Sequence, residues 1–77
     1  MSYGYSQSLV QANKDANIKS LGVALGRVCI ASGVGVSEIA KKFNVSRMTV
    51  YNWFKGTTRP TRAMQQAIQR YIESHKK

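Results

Sequence analysis

From Asn17 onward the apolar positions keep a helical period. Ile18, Leu21, Leu25, Val28 and Cys29 recur every three or four residues and predict an amphipathic helix from Asn17 to about Ser32. Gly33 and Gly35 supply the turn that ends it. Gly22 and Gly26 stand on consecutive turns inside it; they either admit a close helical neighbour or are simply tolerated, at about 1 kcal/mol each relative to Ala. Ser37 is the expected N-cap of a second helix, with Glu38 suited to its dipole and Ile39, Ala40 and Phe43 facing inward. Asn44 takes the left-handed position that stops this helix, and Val45 buries as the chain turns. Ser46 caps a third helix with Val50 and Trp53 on its inner side and Gly56 as its C-terminal stop. After a loop from Thr57 to Pro60, Thr61 opens a fourth helix, whose stripe is Met64, Ala67, Ile68, Tyr71 and Ile72 and whose end lies near Ser74. His75, Lys76 and Lys77 read as a frayed basic tail.

The segment before this pattern, MSYGYSQSLVQAN, mixes Tyr, Ser, Gly and Gln without a sustained apolar period. Residues 1–16 are therefore expected to form a flexible N-terminal arm, either mobile or a weakly docked extension, in which no helix is placed, and residues 17–75 a single domain. Tyr3 and Tyr5 either dock onto the body or belong to an unstructured tail. The fold class that follows is an all-α, compact four- to five-helix bundle.

Composition narrows what such a bundle can do. A chain of 77 residues, 43% hydrophobic and 9% aromatic, builds one small core and no second lobe to enclose a metabolite. Its net charge of +9 favours a polyanionic partner, either nucleic acid or an anionic membrane surface. The membrane is the weaker reading, since no run approaches the roughly 18 apolar residues of a spanning helix and the N-terminus lacks the pattern of a secretory signal. A soluble, cytoplasmic protein is expected. One cysteine, Cys29, and one distant histidine, His75, provide neither an internal disulfide nor a zinc site, so no metal or cofactor is expected. Cys29 is either a small buried hydrophobe or a reactive thiol. Paired carboxylates, a base near a nucleophile and a phosphate-cradling glycine loop are all missing, which argues against an enzyme.

The stretch VSEIAKKFNVSRMTVYNWFKGTTRP, Val36 to Pro60, resembles the helix-turn-helix of the phage Cro and CI repressor family, the Xre-type regulators. The likeness rests on Ile39, the small Ala40 where two helices touch, apolar Phe43, Val45 and Val50, then Trp53, and a Gly56 to Pro60 exit. Asn44 departs from the glycine usual there but tolerates the same conformation. The resemblance implies a lambda-repressor-like DNA-binding domain that presents its third helix to the major groove, and a Cro-like repressor in a bacterial or phage-infected cell, associated with the nucleoid.

With Val50 and Trp53 inward, the helical period turns Ser46, Arg47, Met48, Tyr51, Asn52 and Lys55 outward or toward the helix start. Arg47 has the fork to pair with guanine O6 and N7 or to hold a phosphate, and Asn52 can bind adenine N6 and N7. Met48 either touches a thymine methyl or packs; Tyr51 either bonds a phosphate or covers the helix surface. Lys41, Lys42, Arg47, Lys55, Arg59 and Arg62 follow one another without an acid between them, and Ser37, Thr49, Thr57, Thr58 and Thr61 are further phosphate contacts. One such helix reads few base pairs, so a homodimer on a double-stranded operator with half-sites about 34 Å apart is expected. Phe54, with Tyr71, Ile72 or the arm, either supplies an apolar dimer patch or packs in the core. The competing reading is a protein-interaction module that binds RNA polymerase or another regulator.

Overall fold

A computed structural model describes residues 6–17 and 19–75. Among these residues five helices follow one another: α1 (Gln7–Asp15), α2 (Leu21–Ser32), α3 (Val36–Phe43), α4 (Arg47–Lys55) and α5 (Arg62–Ser74). The chain is all-α, as the periodicity requires. Helix α2 is the central element, packed against α1, α4 and α5, and α3 rests on α4.

Helix α1 corrects the expectation of an arm without a helix. The Ser6 hydroxyl accepts from the Leu9 amide at 3.1 Å and caps it, and Leu9 and Asn13 are buried against the body. Tyr3, Tyr5, Ile18, Lys76 and Lys77 lie outside the described residues. Helix α2 starts at Leu21 rather than Asn17, because Asn17 is engaged in a turn of its own. Its side-chain oxygen accepts from the Lys19 amide at 3.0 Å and its carbonyl accepts from the Ser20 amide at 3.1 Å.

Gly22 and Gly26 face α4, and close approach is the reason for both. A Cβ on Gly22 would stand 2.8 Å from the Trp53 carbonyl oxygen, and one on Gly26 would stand 2.8 Å from Phe54 Cγ. The two aromatic residues thus lie directly on the backbone of α2. Val23, absent from the predicted stripe, is fully buried beside Leu25 and Cys29, because α2 is covered on three sides.

Helix α3 begins two residues earlier than a Ser37 cap implies. Gly35 occupies the N-cap and Ser37 falls in the first turn, which lets Val36 join Ile39, Ala40 and Phe43 on one buried face. At its other end Asn44 adopts φ 57°, and the Val45 amide donates to the Ala40 carbonyl at 3.0 Å. Gly33 and Gly56 end α2 and α4 in the same left-handed manner. Phe43 joins three helices, with its ring edge-on to Trp53 at 6.4 Å and to Tyr71 at 5.9 Å.

Of the two readings of Phe54, core packing prevails over the apolar dimer patch, with α2 as its partner. Phe54 is fully buried, seated over Gly26, and Tyr71 and Ile72 are buried in the same core. Ala67 is exposed, so α5 buries only Ile68, Tyr71 and Ile72, with Met64 half-covered. His75 is not frayed: its ring stacks on Tyr71 with centroids 4.1 Å apart. Of the two readings of Cys29, burial prevails, and it pushes the thiol up to about 12, offset in part by the neighbouring Tyr71 hydroxyl.

Candidate nucleic-acid interface

The three buried side chains of α4, Val50, Trp53 and Phe54, fix how the helix is rotated. Its opposite face is thereby turned to solvent. Arg47, Met48, Tyr51 and Lys55 are exposed, and Thr49 and Asn52 are half-buried at the edges of this face. Met48 is 65% exposed, so it is no part of the core.

Ser46 stands at the start of this face and is already engaged. Its hydroxyl accepts from the Thr49 amide at 3.1 Å and lies 2.9 Å from Thr49 Oγ1. Capping fixes the first turn, and with it the direction in which Arg47 and Met48 leave the helix. The N-terminal end of α4 also carries the positive end of the helix dipole, so it suits a phosphate without further adjustment.

At the far end, the Asn52 carbonyl accepts from the Thr57 amide at 2.9 Å and the Thr58 amide at 3.4 Å. These bonds tie the loop to the last turn of α4, and Thr57, Thr58 and Arg59 follow Lys55 as exposed residues. Gln65 donates to the Pro60 carbonyl at 3.1 Å and holds the loop exit against α5. Lys41 and Lys42 lie exposed in the last turn of α3. Lys42 is turned toward α5, with Nζ 5.6 Å from the Tyr71 ring centroid, so it is drawn away from the α4 face by a cation–π contact. Ser46, Arg47, Met48, Thr49, Tyr51, Asn52 and Lys55 thus lie along one helix, Arg59 meets Lys55 at a cleft beyond its end, and Lys42 is set apart.

Two neighbours of this surface have no counterpart in the sequence reading. Helix α1 lies alongside α4, where Ser6, Ser8 and Leu9 line a cleft with Met48, Tyr51 and Lys55. The α1–α2 turn brings Lys19 and Ser20 to a second cleft that Lys55 and Arg59 also line. The only signal for the first was Ser6 as a cap; for the second there was Lys19 alone, without any period to place it. No helix among the described residues is long and apolar enough to cross a membrane.

A family model described as a homeodomain-like domain matches residues 22–63, more than half of the chain, from the first turn of α2 into the first turn of α5. No curated protein and no solved structure matches the chain.

Proposed function

We propose that this chain, which belongs to the homeodomain-like domain family of helix-turn-helix DNA-binding proteins, is a sequence-specific transcriptional regulator that lays α4 in the major groove. The observation that carries this reading is the outer face of α4. Arg47, Met48, Tyr51 and Lys55 are exposed on one side of a helix whose other side is locked into the core by Val50, Trp53 and Phe54. Arg47 reads a guanine, Asn52 an adenine, and Met48 meets a thymine methyl. Lys41, Thr57, Thr58 and Arg59 hold phosphates on either side, with Ser46 and Thr49 at the helix start and Tyr51 and Lys55 along the groove.

Repression of the Cro type, by a homodimer that occupies two half-sites of an operator, is the regulatory form supported by the motif from Val36 to Pro60. Because Phe54, Tyr71 and Ile72 are buried, the dimer contact must come from other residues.

Selection of bound duplexes from a random pool tests the proposal. An enriched inverted repeat, bound on the order of 10³-fold or more tighter than a scrambled duplex, is the expected result. Arg47→Ala and Asn52→Ala should each cost about 1–3 kcal/mol on the selected sequence and relax preference at one position, whereas Lys41→Ala should weaken all sequences alike. Without enrichment, and with affinity that simply falls as salt rises, sequence-specific reading is excluded and an RNA polymerase subunit or another regulator becomes the partner to seek.

A further inference from the structure

The second cleft, between the α1–α2 turn and the α4–α5 loop, has a volume of about 530 Å³. Three cations reach it from three separate segments: Lys19 from the turn, Lys55 from the last turn of α4 and Arg59 from the loop. None of the three has an acidic partner among the described residues. The walls are held in place. Asn17 fixes the Lys19 amide, Gln65 fixes the Pro60 carbonyl, and the Gly22 contact with Trp53 presses the start of α2 against the end of α4.

The start of α2 also opens on this cleft, and it lacks the side-chain cap that α1, α4 and α5 possess. Ser20 occupies the N-cap position, yet its hydroxyl accepts from no amide. Its oxygen is buried and has no hydrogen-bond partner at all. A buried hydroxyl left unpaired is costly, and a helix start without a capping oxygen leaves its amides free for an external acceptor. Since Ser20 Oγ holds no bond, it can turn to an acceptor brought to the start of α2 without breaking one. An anionic group with several oxygens, placed there, could divide them among the first amides of α2, the Ser20 hydroxyl and the cations that line the cleft.

We propose that this cleft is a phosphate seat, and that its occupant is a backbone phosphate of the duplex read by α4. This rests on the DNA-binding function proposed above and adds Lys19, Ser20 and the start of α2 to the interface. Lys55 joins the two parts, since it lines both this cleft and the one beside Met48 and Tyr51. The seat carries no base preference. It sets how far α4 can slide along the groove, by holding the backbone at the C-terminal end of the helix.

The test combines amide NMR with binding titrations of the intact chain. Inorganic phosphate, and separately the selected duplex, should each shift the Leu21 and Gly22 amides. Lys19→Gln should lower the slope of log K against log salt by about 0.9 and leave base preference unchanged. Ser20→Ala should weaken duplex binding about two- to tenfold while its melting temperature stays level or rises, because the hydroxyl removed has no partner in the fold. A purely structural role for Ser20 would lower the melting temperature instead and overturn its assignment. If the duplex binds with sequence preference but neither the amides nor the Lys19→Gln slope respond, the seat is refuted and the function of α4 stands. If inorganic phosphate shifts the amides but no duplex binds, the function of α4 is refuted, and the cleft stands as a site for a small phosphate compound. Silence toward both overturns both.

Discussion

Helices α1 and α4 lie side by side and run in the same direction. Leu9 is near Met48 and Tyr51, Asn13 near Phe54, and Ala16 near Gly56. Each has nine residues, and each has a serine cap. They are nevertheless held by different means. Helix α4 buries Val50, Trp53 and Phe54 and ends in a left-handed glycine, so its own sequence supplies its start, its stop and its inner face. Helix α1 buries one aliphatic side chain, Leu9, together with the polar Asn13. A nine-residue helix with so little apolar surface does not persist alone in water. What holds α1 is its polar attachment. Asn13 Nδ2 donates to the Phe54 carbonyl at 2.7 Å and to the Val23 carbonyl at 3.1 Å, and Arg27 donates to the Lys14 carbonyl at 2.8 Å at the end of α1. A helix can thus be specified by its own residues or by a place prepared for it elsewhere.

The strongest way to break this contrast is at Phe54, where both helices depend on one residue. Phe54→Ala should cost about 3–5 kcal/mol in urea unfolding, enough to leave a domain of this size barely folded, and α1 and α4 should lose amide protection together. The difference sharpens at Asn13. Asn13→Ala should cost about 1–3 kcal/mol, and hydrogen exchange should show the amides of α1 opening while those of α3 and α4 remain protected. Equal loss of protection in all helices would mean that α1 is part of a single cooperative core. The smallest effect is expected at Asn44, whose contribution is local to the turn. Asn44→Ala places an alanine at φ 57° and should cost about 1–2 kcal/mol in the same urea assay, leaving exchange in α1 relative to α4 unchanged.

The same contrast explains what was legible in the sequence. The stops at Gly33, Asn44 and Gly56 and the caps at Ser46 and Thr61 depend on backbone conformation, which neighbouring residues decide, and the structure has them where the pattern placed them. The outward set on α4 followed from the two positions that had to face inward. Helix α1 was hidden because its partners lie 10 and 41 residues away from Asn13, and an asparagine in a polar segment carries no apolar period. Phe54 was ambiguous for a related reason. Whether its side of α4 is covered depends on α2 approaching at Gly26, and on α1 completing the cover there through Asn13. The start of α2 differs because Asn17 and Ser20 fit a turn as well as a helical first turn, and it is the extended backbone of Ser20, with ψ 131°, that separates the two.

The burial of Cys29 makes this chain its own stopwatch. Thiol reagents attack the thiolate, and with burial pushing the thiol up to about 12 the folded state holds very little of it at pH 8. An unfolded cysteine titrates near its ordinary value of about 8.5 and reacts readily. With a single sulfhydryl in the sequence, the rate at which a chromogenic disulfide is consumed counts the moments when α2 separates from α5, without any label being introduced.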